Sequence, residues 1–163
     1  GAVTSGRVTH VRLLPREPEV CAESVTAVQE ADWVVLGPGS WYTSVIPHLR
    51  VPALRDAIHA AGRVALTLNL QAQEGETDGF SAADHVRVLH EVDPDLRIDV
   101  VLADPSWVDD VSDLEKAASE VGASVMLRQV RADDGTARHD PLRLAAAYRD
   151  AFSSTWGDVG RSA

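Results

Sequence analysis

One cysteine, Cys21, and one lysine, Lys116, are all that the 163 residues contain of either type. A single thiol excludes an internal disulfide framework and any cysteine-based zinc site. Basic residues are also scarce relative to acidic ones: 15 Lys and Arg face 25 Asp and Glu, for a formal net charge of -10. A nucleic-acid-binding surface needs clustered cations, so no nucleic-acid partner is expected. Small anions stay admissible, because converging backbone N–H groups hold phosphate without net positive charge. Nothing approaches the ~18 uninterrupted apolar residues of a membrane span. No basic stretch leads into an apolar one as in a secretory leader, and a cytoplasmic protein is expected. Repeats and low-complexity linkers are missing too. The chain opens on Gly1, not methionine, so an amino terminus incomplete relative to the natural protein is expected.

What is present is ordinary globular material, 45% hydrophobic and 25% charged, enough for one core. Polar–apolar alternation over residues 7–14 predicts a strand closed by Pro15 and Pro18, and residues 20–30 suit an amphipathic helix. Trp33-Val34-Val35-Leu36 is a short apolar run of the buried parallel type. A helix over 52–61, with Pro52 in its first turn and Gly62 as C′, precedes a strand over 63–68. Ser81-Ala82-Ala83-Asp84 is a capping box opening a helix that carries Val86, Leu89 and Val92. After a strand over 98–102, Ser112-Asp113-Leu114-Glu115 reads as a second capping box, with its helix stopped at Gly122. A strand over 124–130, the turn Asp133-Asp134-Gly135, and Asp140-Pro141 as N-cap and N1 of a helix through Phe152 complete the series. Strands alternating with helices predict an α/β fold, an open, mostly parallel sheet with helices on both faces. One domain is expected over 1–152, with a flexible tail over 153–163.

Two segments leave predicted strand ends, where ligands of such sheets bind. In the first, Leu36 runs into Gly37, Pro38, Gly39 and Ser40, then Trp41, Tyr42, Thr43 and Ser44. Glycines permit close backbone approach, and hydroxyls can donate to phosphate oxygens. The same residues suit a plain tight turn with one hydroxyl capping a helix, and local pattern does not separate the two. The segment is neither a P-loop nor a dinucleotide fingerprint, since lysine and the second glycine spacing are missing. In the second segment, over 69–79, Asn69 and Gln73 offer amide donors and acceptors to a base or sugar. Glu76 can accept from a sugar hydroxyl or help hold Mg²⁺, and Thr77 adds a hydroxyl. A solvated acidic loop is the alternative. His85, His90 and His139 lack established metal-ligand spacing, so no metal site is expected. Asp104 suits either the same crevice or the start of a loop. Trp33 and Trp107 suit packing, and Trp41 either packing or stacking.

Leu-Gly-Pro-Gly-Ser-x-Tyr-Thr-Ser-Val-Ile-Pro-His-Leu over 36–49, followed by Asn-x-x-x-Gln-x-Gly-Glu-Thr over 69–77, resembles the paired signature of the gluconeogenesis-factor (YvcK-type) branch of the CofD-like superfamily. Asp84-His85-Val86 and Arg138-His139-Asp140 fit the same pattern, and the resemblance extends over about residues 8–152. It implies a Rossmann-like fold that binds UDP-sugars, notably UDP-N-acetylglucosamine, with no required cofactor. It also implies a regulatory role in cell-wall synthesis, cell shape and gluconeogenic growth, exerted through protein partners of those processes. Ala72 and Glu74 depart from the family's usual Thr and Pro or Leu, and the family's amino-terminal glycine-rich loop has no counterpart here. If that half is missing, an uncovered sheet edge favours self-association. The sister branch, the 2-phospho-L-lactate transferases, supplies an enzymatic alternative, in which a phosphorus-containing group moves from a nucleotide-activated donor.

Overall fold

The computed structural model describes residues 11–13, 22–38, 45–70 and 79–153. Five strands form one sheet: β1 (Val11–Leu13), β2 (Trp33–Leu36), β3 (Val64–Thr67), β4 (Val100–Ala103) and β5 (Ser124–Leu127). All four pairings are parallel and the spatial order is β1-β2-β3-β4-β5. Among the described residues six α-helices accompany them: α1 (Ala22–Glu30), α2 (Ile46–Arg50), α3 (Pro52–His59), α4 (Ala82–Val92), α5 (Val111–Glu120) and α6 (Pro141–Phe152).

Each inner strand is buried on both sides, and its alternate residues feed two separate cores. Val34, Leu36, Val64, Leu66, Val101 and Ala103 face one core, with Val28 of α1, Leu54 and Ile58 of α3, Val86 and Leu89 of α4, and Leu114 and Ala118 of α5. Trp33, Val35, Ala65, Val100, Leu102 and Met126 face the other, together with Ala147 and Ala151 of α6. The strand order explains this division. Right-handed crossovers that always step in one direction place every connecting helix on the same face. Among the described helices only α6, which follows the last described strand, folds back over the opposite one. Leu144, Ala147, Tyr148 and Ala151 recur at the i, i+3, i+4, i+7 spacing that gives α6 its apolar stripe. Phe152 at its end meets Trp33 with ring centroids 4.6 Å apart.

The caps decide where helices begin. Ser81 and Asp84 form the expected capping box, Ser81 Oγ accepting from Asp84 N–H at 3.1 Å and Asp84 Oδ2 from Ser81 N–H at 3.0 Å. Asp140 accepts from the N–H groups of Leu142 and Arg143, also as expected. Three details differ from expectation. α5 is capped by Asp110, whose carboxylate accepts from Asp113 N–H at 3.0 Å, so Ser112 lies inside the helix. α3 has its C-cap at Ala60, and Gly62 is not among the positive-φ glycines. Gly122 does hold φ 81 just beyond α5, where a left-handed residue ends the helix. Finally, α2 was not foreseen. The expected tail lies outside the described residues, apart from Ser153.

Candidate functional site

The carboxyl ends of β2, β3, β4 and β5 line one rim of the sheet, and the two ligand-type segments both leave from it. Leu36 pairs in register with Leu66, so Gly37 leaves β2 level with the end of β3. Gly37 has φ 70, a conformation side chains with a Cβ rarely adopt, so the glycine answers a backbone requirement there. Pro38 follows, exposed. Asn69 leaves β3 two residues beyond Thr67 and is half-buried. Gly37, Pro38 and Asn69 therefore come together on neighbouring strand exits. Gly39, Ser40, Trp41, Thr43, Ser44, Gln73, Glu76 and Thr77 lie outside the described residues.

Four side chains, of which local pattern weighed only Asp104 for the crevice, organise this rim. Asp104, at the end of β4, is only 2% exposed and accepts three backbone N–H bonds. Oδ1 receives Ser106 N–H at 2.8 Å, and Oδ2 receives those of Val130 at 2.8 Å and Arg131 at 2.9 Å. Burial pushes its carboxyl upward, but the bonds from Ser106, Val130 and Arg131 outweigh this and hold it below the ordinary carboxylate range. Of the two readings open for Asp104, the start of a loop is the one observed. It also ties that loop to the segment after β5.

Arg131 extends the tie to β3. Its guanidinium donates to the Leu70 carbonyl at 2.9 Å, the Thr136 carbonyl at 3.0 Å and Ser106 Oγ at 3.1 Å. A five-donor planar fork suits this bridging of three acceptors. Tyr148 reaches from α6 to the end of β3, where its hydroxyl and that of Thr67 lie 2.6 Å apart. Burial pushes the Tyr148 phenol up to about 12. His139 stands beside the exit of β3, where burial lowers its pKa below the ordinary histidine value against the raising influence of the Leu68 carbonyl.

On the other side of the same rim, Gly79, Phe80, Ser81, Trp107, Asp109 and Asp113 line a cavity of about 350 Å³ between the starts of α4 and α5. Behind two of its lining residues, His85 is buried edge-on between Phe80 and Trp107 at 5.6 and 5.1 Å. Trp107 is therefore at least a packing residue, as expected, and Trp33 is one on the second face. Among the described residues no group of three or more His, Cys, Asp or Glu is placed to hold a metal ion. Among them, too, no helix is long and apolar enough to cross a membrane.

Residues 2–146 match the family described as 2-phospho-L-lactate transferase CofD. A Mycobacterium tuberculosis protein provisionally named a gluconeogenesis factor is 44% identical over 165 residues, covering 99% of this chain and 47% of its own length. The gluconeogenesis factor of Listeria monocytogenes is 36% identical over 153 residues, covering 86% of this chain and 47% of its own. The chain thus spans about half the length of these relatives. In structure it is similar to a UPF0052-family protein from Bacillus halodurans, with TM-score 0.67 and 27% identity over 82% of this chain and 47% of that one. An all-parallel Rossmann-like sheet, these relatives and the match over nearly the whole sequence place the chain in the CofD family, in its gluconeogenesis-factor (YvcK-type) branch.

Proposed function

We propose that the chain forms one half of a nucleotide-sugar site, with UDP-N-acetylglucosamine as the ligand. The whole protein would act in the cytoplasm as a regulator of cell-wall synthesis, cell shape and gluconeogenic growth. The observation that carries this reading is the juxtaposition of two strand exits. Gly37, held at positive φ, and Asn69 stand on neighbouring strand exits, and from them start a glycine- and hydroxyl-rich stretch of sequence and an amide-rich one. The first has the composition to receive a diphosphate through backbone N–H groups, with Ser40, Thr43 and Ser44 as added donors. The second, through Asn69, Gln73, Glu76 and Thr77, has the mixed donors and acceptors that a base and sugar hydroxyls require. Glu76 would help hold Mg²⁺ if the ion accompanied the diphosphate, and the reading does not require it.

Calorimetric titration of the full-length natural protein with UDP-N-acetylglucosamine tests the reading, and absence of any heat or thermal shift refutes it. Gly39→Val sharpens the test. A branched Cβ blocks close approach to the segment's backbone, so binding should be lost with the fold retained. An unchanged dissociation constant removes this segment from the site. A second reading is favoured by the family's own description, which is that of a transferase. In it, the same rim would bind a nucleotide-activated donor and pass its phosphorus-containing group to an acceptor. Mass-spectrometric detection of a phospholactyl-type product would select that reading over the regulator.

A further inference from the structure

Among the side chains at the rim, His139 combines a fixed backbone with a buried ring nitrogen that has no partner among the described residues. Its backbone is fixed on both sides by a short hairpin that follows β5. Arg131 and His139 form an isolated antiparallel bridge, Ala132 N–H donates to the Arg138 carbonyl at 2.8 Å, and Asp140 N–H donates to the Val130 carbonyl at 2.7 Å. Asp140 then caps α6, so the histidine can move only if a strand extension and a helix start move with it. The Leu68 carbonyl lies by the ring and favours a proton on the nitrogen that faces it. A carbonyl accepts, so the ring nitrogen there donates. The other nitrogen, Nε2, is buried and has no hydrogen-bond partner among the described residues. With nothing to receive a proton from Nε2, the proton of the neutral ring is assigned to Nδ1, and Nε2 carries a bare lone pair.

Buried polar atoms in folded proteins are nearly always satisfied, and one left without a partner calls for a reason. The location suggests that reason, because Leu68 directly precedes Asn69 at the exit of β3. Resting on the nucleotide-sugar reading above, we propose that His139 is a further ligand contact of that site, its Nε2 accepting a hydrogen bond from a hydroxyl or N–H group of the bound nucleotide sugar. The chemistry restricts which part of the ligand it meets. Diphosphate oxygens only accept at neutral pH, so a bare imidazole nitrogen gains nothing from them, whereas sugar hydroxyls and the uracil N–H donate. Burial favours the neutral ring, which agrees with an acceptor role and not with that of a cationic phosphate clamp.

Two variants separate the contact from a structural role. His139→Asn keeps an amide donor near the position of Nδ1, facing the Leu68 carbonyl, while the Nε2 acceptor is removed. His139→Gln places an amide oxygen near Nε2. In the full-length protein, calorimetry with UDP-N-acetylglucosamine should give binding roughly tenfold weaker for His139→Asn, as expected for one lost hydrogen bond, with His139→Gln recovering most of the loss. Equal affinity in the wild type and both variants overturns the contact. If His139→Asn does not fold, NMR of wild-type protein carrying ¹⁵N-labelled histidine decides: the Nε2 resonance should move to the hydrogen-bonded range on saturation, and an unmoved resonance overturns the proposal. A wild-type protein that binds no UDP-sugar is a separate outcome, and it overturns the nucleotide-sugar reading and this contact with it.

Discussion

The two faces of the sheet are built from the same strands but are covered in different ways. One lies beneath α1, α3, α4 and α5, helices donated by successive crossovers, whereas α6 supplies the cover of the other. The first face is redundant, since each helix packs against its neighbours as well as against the sheet. Arg87 of α4 even reaches Asp113 of α5 at 3.0 Å. Among the described residues the second face is covered by one helix, tied down at its start by Asp140 and by Arg143, which donates to Asp133 and to the Arg131 carbonyl. A one-directional strand order therefore concentrates packing on one side and leaves the other dependent on its hydrogen-bonded attachments. Where strand order reverses, helices fall on both faces and a ligand crevice opens at the switch point. No such reversal occurs among the described strands.

The largest expected effect tests the packed face. Leu89 of α4 is 0% exposed in the first core. Leu89→Ala removes buried methylenes and leaves a cavity, which costs about 3 kcal/mol in urea unfolding at 25 °C. Phe152→Ala on the second face, where the ring is only partly buried, should cost less. A larger loss at Phe152 than at Leu89 would reverse the ranking of the two faces.

Next comes the attachment of the second face. Asp104→Asn retains one oxygen but turns an amide N–H₂ toward backbone N–H groups that had a carboxylate to receive them. The expected loss is about 2 kcal/mol, within the range for charged acceptors and unsatisfied donors. Hydrogen exchange should locate the change at the segment after β5 and at the start of α6, not at α4 or α5. Uniform loss of protection would mean that Asp104 supports both faces equally.

A smaller effect is expected at the crossing between α6 and β3. Tyr148→Phe keeps the ring stacked on Phe152 at 5.5 Å. It removes the hydroxyl that meets Thr67, whose side chain is fully buried. The cost should be about 1 kcal/mol, the ordinary net value of one hydrogen bond. The double variant Tyr148→Phe with Thr67→Val should recover part of it, because both polar atoms then leave the core together. A double variant as destabilised as the sum of the singles would show that the pair is not coupled.

Much of this arrangement is legible in the residues themselves. Trp33-Val34-Val35-Leu36, the Ser81–Asp84 box and the Asp140-Pro141 start are local signals, each a matter of a few adjacent side chains, and each appears where expected. α2 was hidden because Pro47 and Pro52 punctuate it, so Ile46–Arg50 reads as part of a loop although Pro47 lies in its first turn. The cap of α5 was misplaced because Asp110 and Ser112 both suit the role, and only the bond to Asp113 N–H chooses between them. The ligand segments were recognisable by glycine, hydroxyl and amide content at strand ends. The side chains that hold the rim together were not, because their partners are remote in sequence. Asp104 meets Val130 across 26 positions, Arg131 meets Leu70 across 61, and Tyr148 meets Thr67 across 81. No periodicity encodes such pairings.

The smallest expected effect is a pH dependence, and it separates the two sets of buried titratable groups. His85, packed under the start of α4, has its pKa lowered by burial, against the opposing influence of the Ser81 carbonyl and Asp84. His139 is lowered by burial as well. For both, as pH falls, the unfolded chain takes up its proton near the ordinary value of 6.5 while the folded chain resists. The unfolded state then binds more protons, so their contribution is complete above that value and is lost progressively below it. For Asp104, which is held below the ordinary 3.8, the corresponding loss begins only below that pH. Burial pushes the Asp99 carboxyl up, against the Val64 N–H bond and Arg97, so Asp99 acts in the opposite sense just above 3.8. The wild-type curve therefore mixes several contributions, and a comparison of variants isolates the histidine. Thermal unfolding midpoints of wild type and His85→Gln, measured at half-unit steps from pH 7.5 to 4.5, should converge as pH falls below 6.5, because the variant lacks the group being protonated. Parallel curves across that interval would show that His85 titrates alike in the folded and unfolded chain, and that the packing between Phe80 and Trp107 does not set its charge.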